Sequence, residues 1–195
     1  MIIISHRRNS LEALQSTPTQ YGIEVDIRSS GNDLIIHHDP FQAGLHFEDW
    51  LSHYHHNTLI LNVKEEGLEH RLIDLMNKGA IEDYFFLDQS FPFLVKTAKE
   101  GEQRCAVRYS EFESFETIKS LAGQIRWVWV DCFTQYPQKI EEYHQIKNLG
   151  FSVCLVSPEL QGREAATEIP LARDFFEKVG ISIDAVCTKV PQLWE

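Results

Sequence analysis

Glu24 and Asp26 are separated by a single residue inside an apolar stretch, G-I-E-V-D-I. Side chains two apart in a strand point to the same face, so both carboxylates face one way. Two like charges held together on a buried face need a cation or a shared proton. Oxygen-only ligands of this kind suit a hard divalent ion, Mg²⁺ or Ca²⁺, rather than a structural zinc site. His6 follows the first apolar run and His38 follows the third, which sets a general base and a general acid beside the acidic pair. Arg7, next to His6, offers a planar fork for a phosphate. Asp39 follows His38 and completes the set. This is the equipment of metal-assisted phosphoryl chemistry.

Positioning such residues requires a regular scaffold, and the chain alternates short apolar runs with longer amphipathic ones. The expected strands cover residues 2–5, 22–27, 34–37, 59–63, 84–88, 105–107, 127–131, 152–156 and 185–188. The expected helices cover 11–21, 47–55, 68–78, 92–100, 113–122, 137–149 and 169–179. Leu68, Leu72, Leu75 and Met76 form an apolar helical stripe. Gly79, Gly101, Gly123, Gly150 and Gly180 each follow a helical stretch, as glycines that end helices do. The alternation implies right-handed βαβ units around a parallel sheet. One exception is 22–38, two strands joined by the turn sequence Ser-Ser-Gly-Asn-Asp.

The expected fold class is α/β, a (β/α) TIM-type barrel in a single domain over residues 1–195. A common barrel takes about 250 residues, so this one is small, with trimmed or missing helices. In barrels the functional residues stand at the C-terminal ends of strands. Those ends carry His6 and Arg7, Glu24 and Asp26, His38 and Asp39, Asn62 and Lys64, then Asp88, Arg108, Asp131, Glu159 and Lys189. Asp131 and Glu159 are the candidate supporting residues of the later strands. Trp127 and Trp129 alternate with Val128 and Val130, a pattern that packs a strand against helices more often than it binds sugar.

A formal net charge of -11 argues against nucleic acid or an anionic membrane as partner, because both reward clustered Lys and Arg. No stretch approaches the roughly 20 apolar residues of a membrane span, and the start M-I-I-I-S-H-R-R reverses the order of a signal peptide. The expected location is cytoplasmic. Cys105, Cys132, Cys154 and Cys187 lack metal-binding spacing, and three of them sit in apolar runs. Reduced core cysteines are expected.

The segments S-H-R-R, G-I-E-V-D-I and L-I-I-H-H-D-P together resemble the glycerophosphodiester phosphodiesterases of the phospholipase C-like barrel superfamily. That family carries an HR-G motif, an E-x-D strand and an HD motif ending the next strand. The likeness is strong over roughly the first 65 residues and rests on strand rhythm beyond them. It implies His6 and His38 as the acid–base pair, Glu24 and Asp26 as metal ligands, and Arg7 as a phosphate contact. Asp39 would support the site rather than ligate. Lys64 matches the lysine of the family's E-x-K strand and would lie near the substrate phosphate. The chain departs from the pattern at Arg8, where a glycine is usual, and at Lys189, where the last motif has an aspartate. It departs again at Asn62, which stands where a third acidic ligand is expected; its carbonyl can still ligate a hard cation.

The resemblance implies hydrolysis of a small phosphodiester, glycerol- or sugar-linked, through a cyclic phosphate. Two rival readings share the same residues. One is a lyase that stops at the cyclic phosphate. The other is a non-catalytic sugar-phosphate-binding barrel, motivated by Asn62.

Overall fold

The computed structural model describes residues 1–134 and 139–195. It contains two compact units, Ser5–Glu102 and Met1–Ile4 with Gln103–Glu195. The chain opens on β1 (Ile2–Ser5) and α1 (Leu11–Ser16). The helix stops well short of residue 21 because Thr17 takes an extended conformation ahead of Pro18, which disfavours the helical region for the residue before it.

In the first unit, β2 (Gly22–Ser30) and β3 (Asp33–Ile36) form an antiparallel hairpin with Ser30 opposite Asp33. Gly31 turns it in the left-handed region at φ 62, and the hairpin carries β2 three residues past its expected end. A two-residue strand absent from the sequence expectation, β4 (Leu45–His46), pairs antiparallel with β3. A Cβ on Gly44 would lie 2.4 Å from the Ile36 carbonyl oxygen, so only glycine lets β4 approach that closely. There follow α2 (Phe47–Leu51), β5 (Leu59–Val63), α3 (Glu69–Lys78), β6 (Tyr84–Leu87) and α4 (Phe91–Lys99). β5 lies between β2 and β6, parallel to both. Every residue of β5 and β6 is buried, as strands covered on both faces require. Leu68, Leu72 and Met76 bury the expected stripe of α3. Gly79 remains right-handed at this helix end, and Ala80 takes the left-handed turn at φ 51.

The second unit holds β7 (Ala106–Tyr109), α5 (Phe115–Ser120), β8 (Trp127–Val130), α6 (Ile140–Asn148), β9 (Ser152–Val156), α7 (Ala165–Val179) and β10 (Ala185–Thr188). β7 to β10 pair in sequence order and in parallel. The expected start of α6 at Pro137 falls outside the described residues. α7 begins four residues before the expected Ile169. Glu164 caps it through a bond from the Ala166 N–H at 3.4 Å, which places Pro170 inside the helix. Trp127 and Trp129 are buried, as packing residues are, and the four cysteines are buried and unpaired with one another. No helix among the described residues is long and apolar enough to cross a membrane.

Candidate active site

The Ser5–Glu102 unit gathers the acidic pair, both histidine segments and two cations. Glu24 and Asp26 occupy alternate positions of β2 and are 0% exposed. On the adjacent strand Asn62 stands in register with Asp26. Its Nδ2 donates to Glu24 Oε1 at 2.7 Å, while its Oδ1 is buried without a hydrogen-bond partner. Burial first, and then the charge of Asp26, push the Glu24 carboxyl up to about 7.

The segment after β1 folds onto this pair. Arg7 N–H donates to Glu24 Oε2 at 2.6 Å, and Arg8 N–H donates to the Glu24 carbonyl at 2.9 Å. His6 Nε2 lies 3.8 Å from Glu24 Oε2, and Arg7 Nε lies 3.5 Å from Asp26 Oδ2. Arg7 adopts φ 53, a left-handed conformation for a residue with a long side chain. Such strain costs on the order of 1–3 kcal/mol and gathers where geometry serves a site. Trp50 Nε1 holds the same segment by donating to the Arg8 carbonyl at 2.9 Å.

Two residues that the strand-end pattern did not single out organise the site. Asn9 bonds Asp26 twice: its Nδ2 donates to Oδ2 at 2.8 Å, and its Oδ1 accepts from the Asp26 N–H at 3.1 Å. Arg28, on β2, donates to the His38 carbonyl at 3.2 and 2.9 Å and to the Lys64 carbonyl at 3.3 Å. It thereby ties the strand ends that carry His38 and Lys64. Nothing in the spacing marks either residue, because both act through main-chain geometry or a carboxylate 17 residues away in sequence.

Lys64 follows β5 and places its ammonium 3.2 Å from Asp26 Oδ1 and 3.1 Å from Asp88 Oδ2. His38 Nδ1 and Asp39 Oδ1 are 2.7 Å apart in a more open position, and that hydrogen bond holds the Asp39 carboxyl below its ordinary range. In the tautomer whose Nδ1–H donates to Asp39, the other ring nitrogen of His38 presents its lone pair.

Asp131 and Glu159 belong to the second unit and are bound there by its own donors. Asp131 pairs with Arg108 and accepts from Gln161 Nε2 at 3.2 Å. Glu159 accepts from Thr188 Oγ1 at 2.7 Å, from Lys189 N–H at 2.8 Å and from Ser157 Oγ.

Among the described residues, no three or more His, Cys, Asp or Glu side chains are grouped to hold a metal ion. The third oxygen beside the acidic pair is an amide oxygen instead. Two buried carboxylates and the orphaned Asn62 Oδ1 fit a hard cation by donor chemistry, with less negative charge than three carboxylates would supply.

No family model and no curated protein matches the chain. Solved structures do. A protein of Agrobacterium tumefaciens assigned as a glycerophosphoryl diester phosphodiesterase aligns with TM-score 0.71 at 14% identity, over 98% of this chain and 94% of that one. A glycerophosphodiester phosphodiesterase from the same species gives 0.68 at 15% identity, over 99% and 97%. A glycerophosphoryl diester phosphodiesterase from Parabacteroides distasonis gives 0.70 at 13%, over 98% and 84%. The fold is thus the α/β, small TIM-type (β/α) fold expected from the alternation of strands and helices.

Proposed function

We propose that the chain is a metal-dependent phosphodiester hydrolase acting on a small glycerol- or sugar-linked diester in the cytoplasm. The observation that carries this reading is the packing of His6 against the buried Glu24–Asp26 pair, 3.8 Å from Glu24. Binding alone needs no imidazole there, and the structural neighbours named as phosphodiesterases share the fold.

Glu24, Asp26 and Asn62 Oδ1 would hold Mg²⁺ or Ca²⁺. A divalent ion there supplies neutralisation of the charge that builds on the non-bridging phosphate oxygens. Arg7, whose side chain is 44% exposed, reaches the phosphate with its guanidinium fork, and Lys64 adds a second cation. His38 is the proton acceptor: Asp39 fixes Nδ1, and the other nitrogen takes the proton of a neighbouring substrate hydroxyl as it attacks phosphorus. His6 is the proton donor to the departing alkoxide, and the Glu24 carboxylate compensates its charge while it holds the proton. This step yields an alcohol and a cyclic phosphate. Water then opens the ring with the two histidines exchanging roles, and a phosphomonoester leaves.

A panel of glycerol- and sugar-linked phosphodiesters, incubated with the purified chain with and without chelator, tests the assignment. Metal-dependent release of a phosphomonoester supports it. The neutral Asn62 favours a second reading, a sugar-phosphate-binding barrel without turnover. Saturable binding of a diester that is never cleaved would decide for that one.

A further inference from the structure

Lys64 places one ammonium between two carboxylates with different surroundings. Asp26 is fully buried on β2, whereas the Asp88 side chain, just past β6, is 22% exposed. The two contacts are nearly equal, at 3.2 and 3.1 Å. Asp88 makes its contact from the left-handed backbone region, at φ 63. Aspartate tolerates that region better than most residues, but the surrounding structure must still hold it there.

We propose that Lys64 is a built-in counter-ion that competes with the divalent cation for Asp26, and that Asp88 draws it away so that the cation can bind. The inference rests on Glu24, Asp26 and Asn62 being the cation's ligands. An ammonium and a divalent ion at Asp26 repel each other, so each weakens the other's hold on that carboxylate. A displaced Lys64 would be costly to leave unpaired, since its side chain is only 14% exposed. Asp88 offers it an opposite charge within reach of the position it already holds. Without Asp88, Lys64 would have Asp26 alone and would hold it harder.

The test is calorimetric titration of the full chain with MgCl₂ and with CaCl₂, comparing wild type, Lys64→Met, Asp88→Asn and the double variant. Circular dichroism confirms folding, and Lys64→Gln replaces Lys64→Met if the latter fails to fold. Lys64→Met tightens cation binding roughly tenfold, Asp88→Asn weakens it several-fold, and the double variant matches Lys64→Met within about twofold. An Asp88→Asn effect of the same size in both backgrounds would mean that Asp88 acts as a plain charge on the cation, and overturns the proposal. So does unchanged affinity in Lys64→Met. Failure of every variant to bind either ion is a separate outcome, and it overturns the ligand assignment itself.

Discussion

Asn62 Nδ2 donates to Glu24 Oε1 at 2.7 Å across the parallel β2–β5 pair, which sets a neutral amide where a third carboxylate would complete an acidic cluster. Replacing it tests how much charge the site tolerates. Asn62→Asp adds a third carboxylate to two that are already fully buried. Without metal it lowers thermal stability, and it raises Mg²⁺ or Ca²⁺ affinity by roughly tenfold or more. Paired melting and calorimetry check the two opposite signs.

The histidines carry separate expectations. His6→Ala and His38→Ala each lower kcat by roughly 10²–10⁴ while circular dichroism is unchanged, because neither side chain is part of the core. Asp39→Asn costs less, on the order of tenfold, since a neutral amide still holds the His38 ring. Steady-state kinetics on a cleaved diester measures all three.

The residues that touch by strand alternation were legible in the sequence: Glu24 with Asp26 follows from a period of two. Parallel neighbours such as β2 and β5 follow from the βαβ rhythm, which also marked Asn62 and Lys64 as strand-end residues. Asn9 was not legible, because its contact with Asp26 depends on how the segment after β1 folds back. Arg28 was hidden for a related reason, since it recognises carbonyl groups and carbonyls leave no trace in residue type. The first helix was read too long because Pro18 stops it at Thr17, and α2 was read four residues past its end at Leu51. The turn at Ala80 was misplaced by one residue because glycine is the usual, but not the obligatory, occupant of a left-handed helix end.

The raised Glu24 carboxyl predicts a pH effect in chelator. Its folded value of about 7 lies above the ordinary 4.5. Between those values the folded protein keeps a proton that the unfolded chain has released. The stabilisation is therefore full below pH 4.5 and is lost as pH rises through about 7, by up to on the order of 3 kcal/mol. Melting temperature in chelator should fall from pH 5 to pH 7.5 relative to Glu24→Gln, which lacks the step. Parallel curves for the two proteins would refute the assignment of that titration to Glu24.

Trp50 joins the core to the site. It is 0% exposed, stacks with Phe47 and Tyr54 at ring-centroid distances of 5.9 Å, and donates to the Arg8 carbonyl. Trp50→Ala costs about 3–5 kcal/mol in stability. Trp50→Phe keeps most of the packing, frees the carbonyl and costs about 1–3 kcal/mol. Because that carbonyl anchors the segment carrying His6 and Arg7, Trp50→Phe should lower turnover beyond what its stability loss explains. Urea denaturation and kinetics on the same samples separate the two effects.

Phosphorus NMR of a glycerol-linked phosphodiester, incubated with the purified chain and Mg²⁺ or Ca²⁺ beside the His38→Ala variant, is the most direct measurement of the proposed hydrolysis. The expected result is replacement of the diester signal by a phosphomonoester in wild type only, with any cyclic phosphate transient and the variant slower by at least about 100-fold. Equal conversion by His38→Ala would contradict the proposal. So would an unchanged diester across a panel of such substrates, in a wild-type protein shown to bind the cation.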